Sequence, residues 1–246
     1  MTLGREARLR ELGLWPVWRA RASPSAVGQE HVTPVVSDAS VEVSQQALVE
    51  KHVMAKHASC HDLDWNGLAA AVSGCSRCAL HTSRTQGVLG VGDVHAEWLI
   101  IGEAPGAEED RQGQPFVGQA GKLLDAMLAA ISLQRGHNVY IANVLKSRPP
   151  GNRDPKPEEV AACLPYLERQ IDLIQPKIMV ALGRFAAQSL LLTDTPIGRM
   201  RGRVHEYRGI PLVVTYHPAY LLRNPADKAK VWEDLLLAVS VARAAR

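Results

Sequence analysis

What this chain has little of narrows it first. No apolar run approaches the ~20 residues that a helix needs to cross a bilayer. Residues 1–22 are studded with arginine and have no apolar centre, which argues against a secretory leader, and Glu6 and Glu11 argue against an organelle transit segment. Four cysteines, Cys60, Cys75, Cys78 and Cys163, are too few and too uneven for a disulfide scaffold. The expected setting is therefore a reducing cytoplasm, where thiols ligate rather than cross-link. The net charge is only +3, which permits nucleic-acid binding without demanding it. No internal repeat is visible, and nothing points to a membrane.

What is present is ample for a core. With 246 residues and 46% apolar content, the chain can hold one full α/β domain plus an appendage. The organising stretch begins at Trp98-Leu99-Ile100-Ile101, an apolar, branched run that reads as a buried strand. A glycine-rich loop follows, Gly102-Glu103-Ala104-Pro105-Gly106 through Pro115-Phe116-Val117-Gly118. Helical spacing of Leu123, Leu124, Met127, Leu128 and Ile131 comes next. Strand, loop and helix in that order describe a ligand cradle at the carboxyl end of a strand. Glu108, Glu109 and Asp110 would repel phosphate, so the loop suits a neutral, flat, polar ligand, with an exposed Phe116 as its aromatic face.

In chain order, residues 1–22 read as a short basic arm with Trp15 and Trp18, either a docking peptide or an accessory segment. Residues 23–62 read as a partly disordered linker, and the domain spans 63–246, its ordered part opening near Leu63 to Trp65. A helix is predicted over 64–73 and strands over 98–104, 139–144, 177–183 and 211–217. Helices are predicted from Pro157 (with a kink or restart at Pro165), over 184–192 and over 226–243. Apolar strands alternating with amphipathic helices predict a three-layer α/β/α fold. Its centre is a four-stranded, mostly parallel sheet, carrying an N-terminal extension.

Three of these strands deliver polar residues at their carboxyl ends: Glu103, Asn143 and His217. A lone asparagine there is an ordinary turn former and a lone histidine an ordinary structural group. In an open parallel sheet, however, strand ends share one crevice, so all three can meet one ligand.

These residues carry a resemblance. Gly102-Glu103-Ala104-Pro105-Gly106, Pro115-Phe116-Val117-Gly118, the Asn143 strand with Arg148-Pro149-Pro150-Gly151-Asn152-Arg153, and His217-Pro218-Ala219-Tyr220-Leu221-Leu222-Arg223 resemble the family 4, iron–sulfur uracil-DNA glycosylases. The likeness runs from about Gly74 to Leu237 with motifs in order. It implies hydrolysis of the N-glycosidic bond of a flipped-out deoxyuridine in single- or double-stranded DNA, by a monomer. Asn143 would pair with the uracil edge, Phe116 stack on the ring, and Gly102, Glu103 and Ala104 meet it through backbone. His217 would donate to uracil O2, while Glu109 and Asn152 are the residues implicated in water attack, although Glu109 alone reads equally as a solvated acid. Lys146, Arg148, Arg153, Arg223 and the Arg199–Arg203 turn, Arg201 included, are candidate phosphate contacts. Leu221 or Leu222 is a candidate wedge, the alternative being that both are core.

The resemblance also implies a [4Fe–4S] cluster on four cysteines. Cys75, Cys78 and Cys163 match three positions, and Ser147 stands at the fourth, a departure because soft iron prefers thiolate. Three outcomes stay open: Cys60 or a histidine (His57, His61, His81) completes the site, Ser147 or solvent does, or the cluster is labile or absent. Two competing functions are weighed. Residues 148–157 hold no histidine and no long basic insertion, unlike the superfamily branch that attaches covalently to its product. The alternative from another class is a non-catalytic, cluster-bearing uracil or DNA-damage binder.

Overall fold

The computed structural model describes residues 60–244. The arm predicted over 1–22 and the linker up to residue 59 lie outside the described residues. Packing reaches back to Cys60, which is buried with Leu68, Val72 and Tyr166. No described helix is long and apolar enough to cross a membrane.

The elements run α1 Trp65–Ser73, β1 Val91–Gly92, β2 Trp98–Gly102, α2 Ala107–Gln112, α3 Gln119–Ala130, β3 Val139–Asn143 and α4 Pro157–Ile174. They continue β4 Ile178–Leu182, α5 Arg184–Leu191, α6 Ile197–Met200, β5 Val204–Tyr207, β6 Ile210–Thr215, α7 Pro218–Arg223 and α8 Lys228–Ala244. One sheet has the order β1-β3-β2-β4-β6-β5. Its four inner strands are mutually parallel, as the alternating pattern predicts. Two antiparallel edge strands, β1 and β5, are added to them. At two and four residues, with side chains at least partly exposed, the edges carry too little apolar signal to be read from sequence.

Alternation along the strands splits the core into two layers. Trp98, Ile100, Val139, Ile141, Val180 and Val213 pack under α3, α7 and α8. Leu99, Ile101, Tyr140, Ala142, Met179 and Val214 pack under α4, α5 and α6. This is the predicted three-layer arrangement.

Two local expectations change. The acidic part of the organising loop is a helix, α2, with Glu108, Glu109 and Asp110 in its first turn, where the helix dipole favours carboxylates. Of the kink or restart expected at Pro165, the restart does not occur, since α4 runs through it. Cys163, Tyr166, Leu167 and Gln170 are buried on either side, and their packing offsets one missing backbone hydrogen bond.

Candidate active site

The site is built where β2 and β3 end together. Gly102 and Asn143 are paired in register at the carboxyl ends of these parallel strands. A Cβ on Gly102 would sit 2.4 Å from Asn143 Oδ1 and 2.6 Å from Phe116 Cζ. Only glycine therefore lets the amide and the ring share this corner. Asn143 is buried, and its Oδ1 is the one buried side-chain nitrogen or oxygen without a hydrogen-bond partner among the described residues. Such an orphan costs roughly 1–3 kcal/mol, so it marks a place where a donor is wanted.

Phe116 is not the exposed aromatic predicted from its loop; it is 6% exposed. Its backbone is left-handed (φ 56°), a conformation that bulky residues rarely adopt. Arg135 holds it there. The guanidinium donates to the carbonyls of Pro115 (3.0 Å) and Phe116 (2.8 Å), and Asp125 anchors it at 2.9 Å. Arg135 went unrecognised in the sequence because nothing local links it to a loop 19 residues upstream.

His217 stacks beside Phe116, with ring centroids 5.4 Å apart and planes at 29°. It caps α7, and its Nδ1 accepts from the Ala219 amide at 3.1 Å. That bond fixes the neutral tautomer with Nε2 carrying the proton. Burial, and then the charge of Arg223, pull the imidazole down to about 4, against a weaker upward pull from Glu109. His217 is thus a neutral donor at ordinary pH. Gly183, at the end of β4 with φ 91°, makes room for it, since a Cβ there would lie 2.9 Å from His217 Cβ.

Glu109 reaches the same corner. Its Oε1 accepts from the Val117 and Gly118 amides at 3.0 and 3.1 Å, so it closes α2 onto the start of α3. Asn152 is exposed, left-handed (φ 54°), and its Oδ1 accepts from Arg148 Nε at 2.8 Å. Glu103 has its carbonyl bonded by the Leu145 amide at 3.0 Å. Burial, reinforced by Asp154 and opposed by Arg184, pushes its carboxyl up to about 7.

The predicted basic rim needs correction. Lys146 is fully buried, donating to the Asn143 carbonyl (2.7 Å) and Gln170 Oε1 (2.6 Å), so it braces the strand end and does not reach phosphate. Arg201 is taken up by Asp234 at 3.0 Å and the Lys230 carbonyl. Asp234 also holds the Gly202 amide and Thr215, so Arg201 pins the basic turn to α8. Arg153 is bound to Glu159, a buried acid that also caps α4 through the Lys156 amide. Leu221 packs into the core under the sheet, 1% exposed, whereas Leu222 is 50% exposed. Arg223 is exposed on the same helix. Of the two leucines, only Leu222 is placed to act as a wedge.

Behind the cradle lies the cysteine site. Cys78 and Cys163 pack together; the neighbouring Cys163 thiol, then the Leu80 backbone and Arg84, pull Cys78 down to about 6, while the Cys78 thiol and burial leave Cys163 raised. The Lys146 amide donates to Cys163 Sγ at 3.4 Å, and Cys75 packs in the cluster of Tyr166. Leu80 and Leu145 line this pocket, and Ala104 of the cradle packs against it. Ser147 is buried, with Oγ accepting from Arg84 Nη1 at 2.7 Å. Cys60 is bonded by Arg77 at 3.5 Å and shares its cluster with Cys75 and Tyr166, whereas Cys78 and Cys163 pack together in the neighbouring one. His61 and His81 are exposed, and His57 lies outside the described residues. Among the described residues no group of three or more His, Cys, Asp or Glu is drawn together tightly enough for a single metal ion. The expected ligand positions supply three free thiols, Cys75, Cys78 and Cys163. These residues do not fit a four-thiolate cluster, because the fourth position is the Ser147 oxygen, already engaged by Arg84.

An imidazole, an aromatic ring and an amide with an unpaired oxygen are thus gathered at the strand ends of an open α/β sheet. The sequence profile of the Uracil DNA glycosylase superfamily matches residues 89–236, more than half of the chain, and the chain belongs to that superfamily. Within it, the likeness is to the type-4 proteins. The Type-4 uracil-DNA glycosylase of Archaeoglobus fulgidus is 49% identical over 171 residues, covering 66% of this chain and 85% of that protein. That of Pyrobaculum aerophilum is 40% identical over 183 residues, covering 71% and 93%. That of Sulfurisphaera tokodaii is 44% identical over 171 residues, covering 66% and 78%. The chain is a member of the type-4 family.

Proposed function

We propose that this protein excises uracil from DNA by hydrolysing the bond between the base and its deoxyribose, leaving an abasic site. The observation that carries the reading is the orphaned Asn143 Oδ1 beside Phe116 and His217. Uracil offers an N3–H donor and an O4 acceptor on one edge, and a fixed amide matches both. Cytosine reverses the pattern and would strand buried polar groups, so discrimination is steep.

The base must leave the duplex stack to reach this corner. Phe116 then covers one face of the ring. As the glycosidic bond lengthens, negative charge builds on the uracil carbonyls, and His217 Nε2–H is aimed to stabilise it at O2. A neutral imidazole suits this role because it is already oriented and needs no proton exchange with solvent. Glu109, tethered by two backbone amides, orients water toward the sugar and offsets its developing positive charge. Asn152 assists that water. Arg148 and Arg223 meet phosphates, and Leu222 fills the gap left by the base. All these groups come from one chain, which supports action as a monomer.

The cysteine site holds iron–sulfur chemistry in this reading through Cys75, Cys78 and Cys163. When bound, the group acts as a structural clamp behind the cradle, since neither bond cleavage nor water attack calls for electron transfer. Incubation with uracil-containing single strands and duplexes, followed by alkaline cleavage of abasic sites, tests the function. Strand scission dependent on uracil supports it. Tight binding without scission would identify a non-catalytic binder instead.

A further inference from the structure

We propose that Arg84 and Ser147 close the fourth corner of the cysteine site as a hydrogen-bonded clasp, standing in place of a fourth metal ligand. One guanidinium spans the gap between two segments. Its Nη1 donates to Ser147 Oγ at 2.7 Å, while Nη2 donates to the Ser73 carbonyl at 2.7 Å and the Cys75 carbonyl at 3.0 Å. The segment carrying the Cys75–Cys78 pair is thereby fastened to the loop that follows β3, 63 residues further along. This is the mechanical task that a fourth metal–ligand bond performs where a cysteine stands at this place.

Chemistry separates the two roles. A serine hydroxyl is a poor ligand for soft iron unless it gives up its proton. It is, by contrast, a good neutral acceptor for a guanidinium, whose planar fork can serve several acceptors at once. The clasp also lies close to the base site. Ser147 follows Lys146, whose amide bonds Cys163 Sγ and whose buried Nζ donates to the Asn143 carbonyl. Arg84, through Ser147 and Lys146, is a positioning residue for the strand end that presents Asn143.

The test uses full-length protein reconstituted anaerobically with iron and sulfide: wild type, Ser147→Ala, Arg84→Gln, the double variant and Ser147→Cys. Iron content, the electron paramagnetic resonance spectrum and the melting temperature are read for each. In Ser147→Ala, iron content and spectrum are expected to match the wild type while the melting temperature falls by roughly 5 °C, the scale of one buried charge-assisted hydrogen bond. Arg84→Gln should fall at least as far, and the double variant no further than Arg84→Gln alone. Ser147→Cys should gain iron. Loss of iron or a changed spectrum in Ser147→Ala would make Ser147 a ligand and overturn the clasp. Additive falls in melting temperature, or no gain of iron in Ser147→Cys, would overturn it too. Should Ser147→Ala not fold, Ser147→Cys carries the iron arm. The cluster arm rests on the reading above, yet none of these readouts uses excision. An inactive wild type would therefore sink that reading and leave the clasp standing.

Discussion

The proposed base site at the strand ends and the cysteine site, against which Ala104 packs, differ in how their polar atoms are settled. At the strand ends Asn143, Phe116 and His217 lie together, and one atom, Asn143 Oδ1, is left unpaired among the described residues. At the cysteine pocket one expected ligand has changed identity, and the replacement, Ser147 Oγ, is already paired with Arg84. An unsatisfied buried acceptor in a formed site signals a ligand to come, because the protein bears the cost of keeping it. A satisfied one signals that the chain itself has supplied the partner. The first pocket is thus poised for an outside molecule, and the second has become partly self-sufficient.

Substitutions sharpen that contrast, beginning with the largest effect. Asn143→Ala is expected to lower kcat/KM for uracil excision by about 10²–10³-fold, with little change in melting temperature, because the lost oxygen made no bond in the free protein. A large fall in stability instead would mean that Asn143 is a structural residue. On α7, Leu222→Ala should reduce excision from duplex DNA by about tenfold and leave stability unchanged. Leu221→Ala should instead cost about 2–5 kcal/mol of stability. Reversed outcomes would show that the helix meets DNA through its other face.

Acid titration probes the neutral histidine. The folded pKa of His217, about 4, lies below its ordinary 6.5, so the unfolded chain takes up the proton first. The associated stability, on the order of 3 kcal/mol, is whole above about pH 6.5 and is lost as pH falls toward 4. NMR titration of His217 should show no protonation until about pH 4, and Arg223→Gln should raise that midpoint by removing an opposing charge. A wild-type midpoint near 6.5 would contradict the neutral-donor assignment. Smallest of all, Ser147→Ala should change uracil excision by less than about threefold, since a lost hydrogen bond remote from the base acts only through Lys146. A loss comparable to that of Asn143→Ala would erase the distinction between the pockets.

Much of this arrangement was legible in the sequence because its signal is local. Four apolar runs give the parallel strands, and a polar residue at the carboxyl end of three of them gives a strand-end cluster. Asn143, Phe116 and His217 follow from that rule and from their motifs, and the structure brings the three together. What stayed hidden depends on distant partners. Lys146 and Arg201 look like any surface cation in sequence, yet Gln170 lies 24 residues away from one and Asp234 33 from the other. Arg135 gives no sign of the Phe116 loop it holds. The edge strands and the run of α4 through Pro165 likewise depend on packing that propensity does not encode.

The central claim, that the orphaned amide of Asn143 reads the base, is tested most directly by Asn143→Asp assayed on matched oligonucleotides containing uracil or cytosine. A carboxylate can accept from the cytosine amino group but no longer donates to uracil O4, so the account predicts measurable cytosine removal together with weakened uracil excision. A variant that keeps the full uracil preference of the wild type would contradict it.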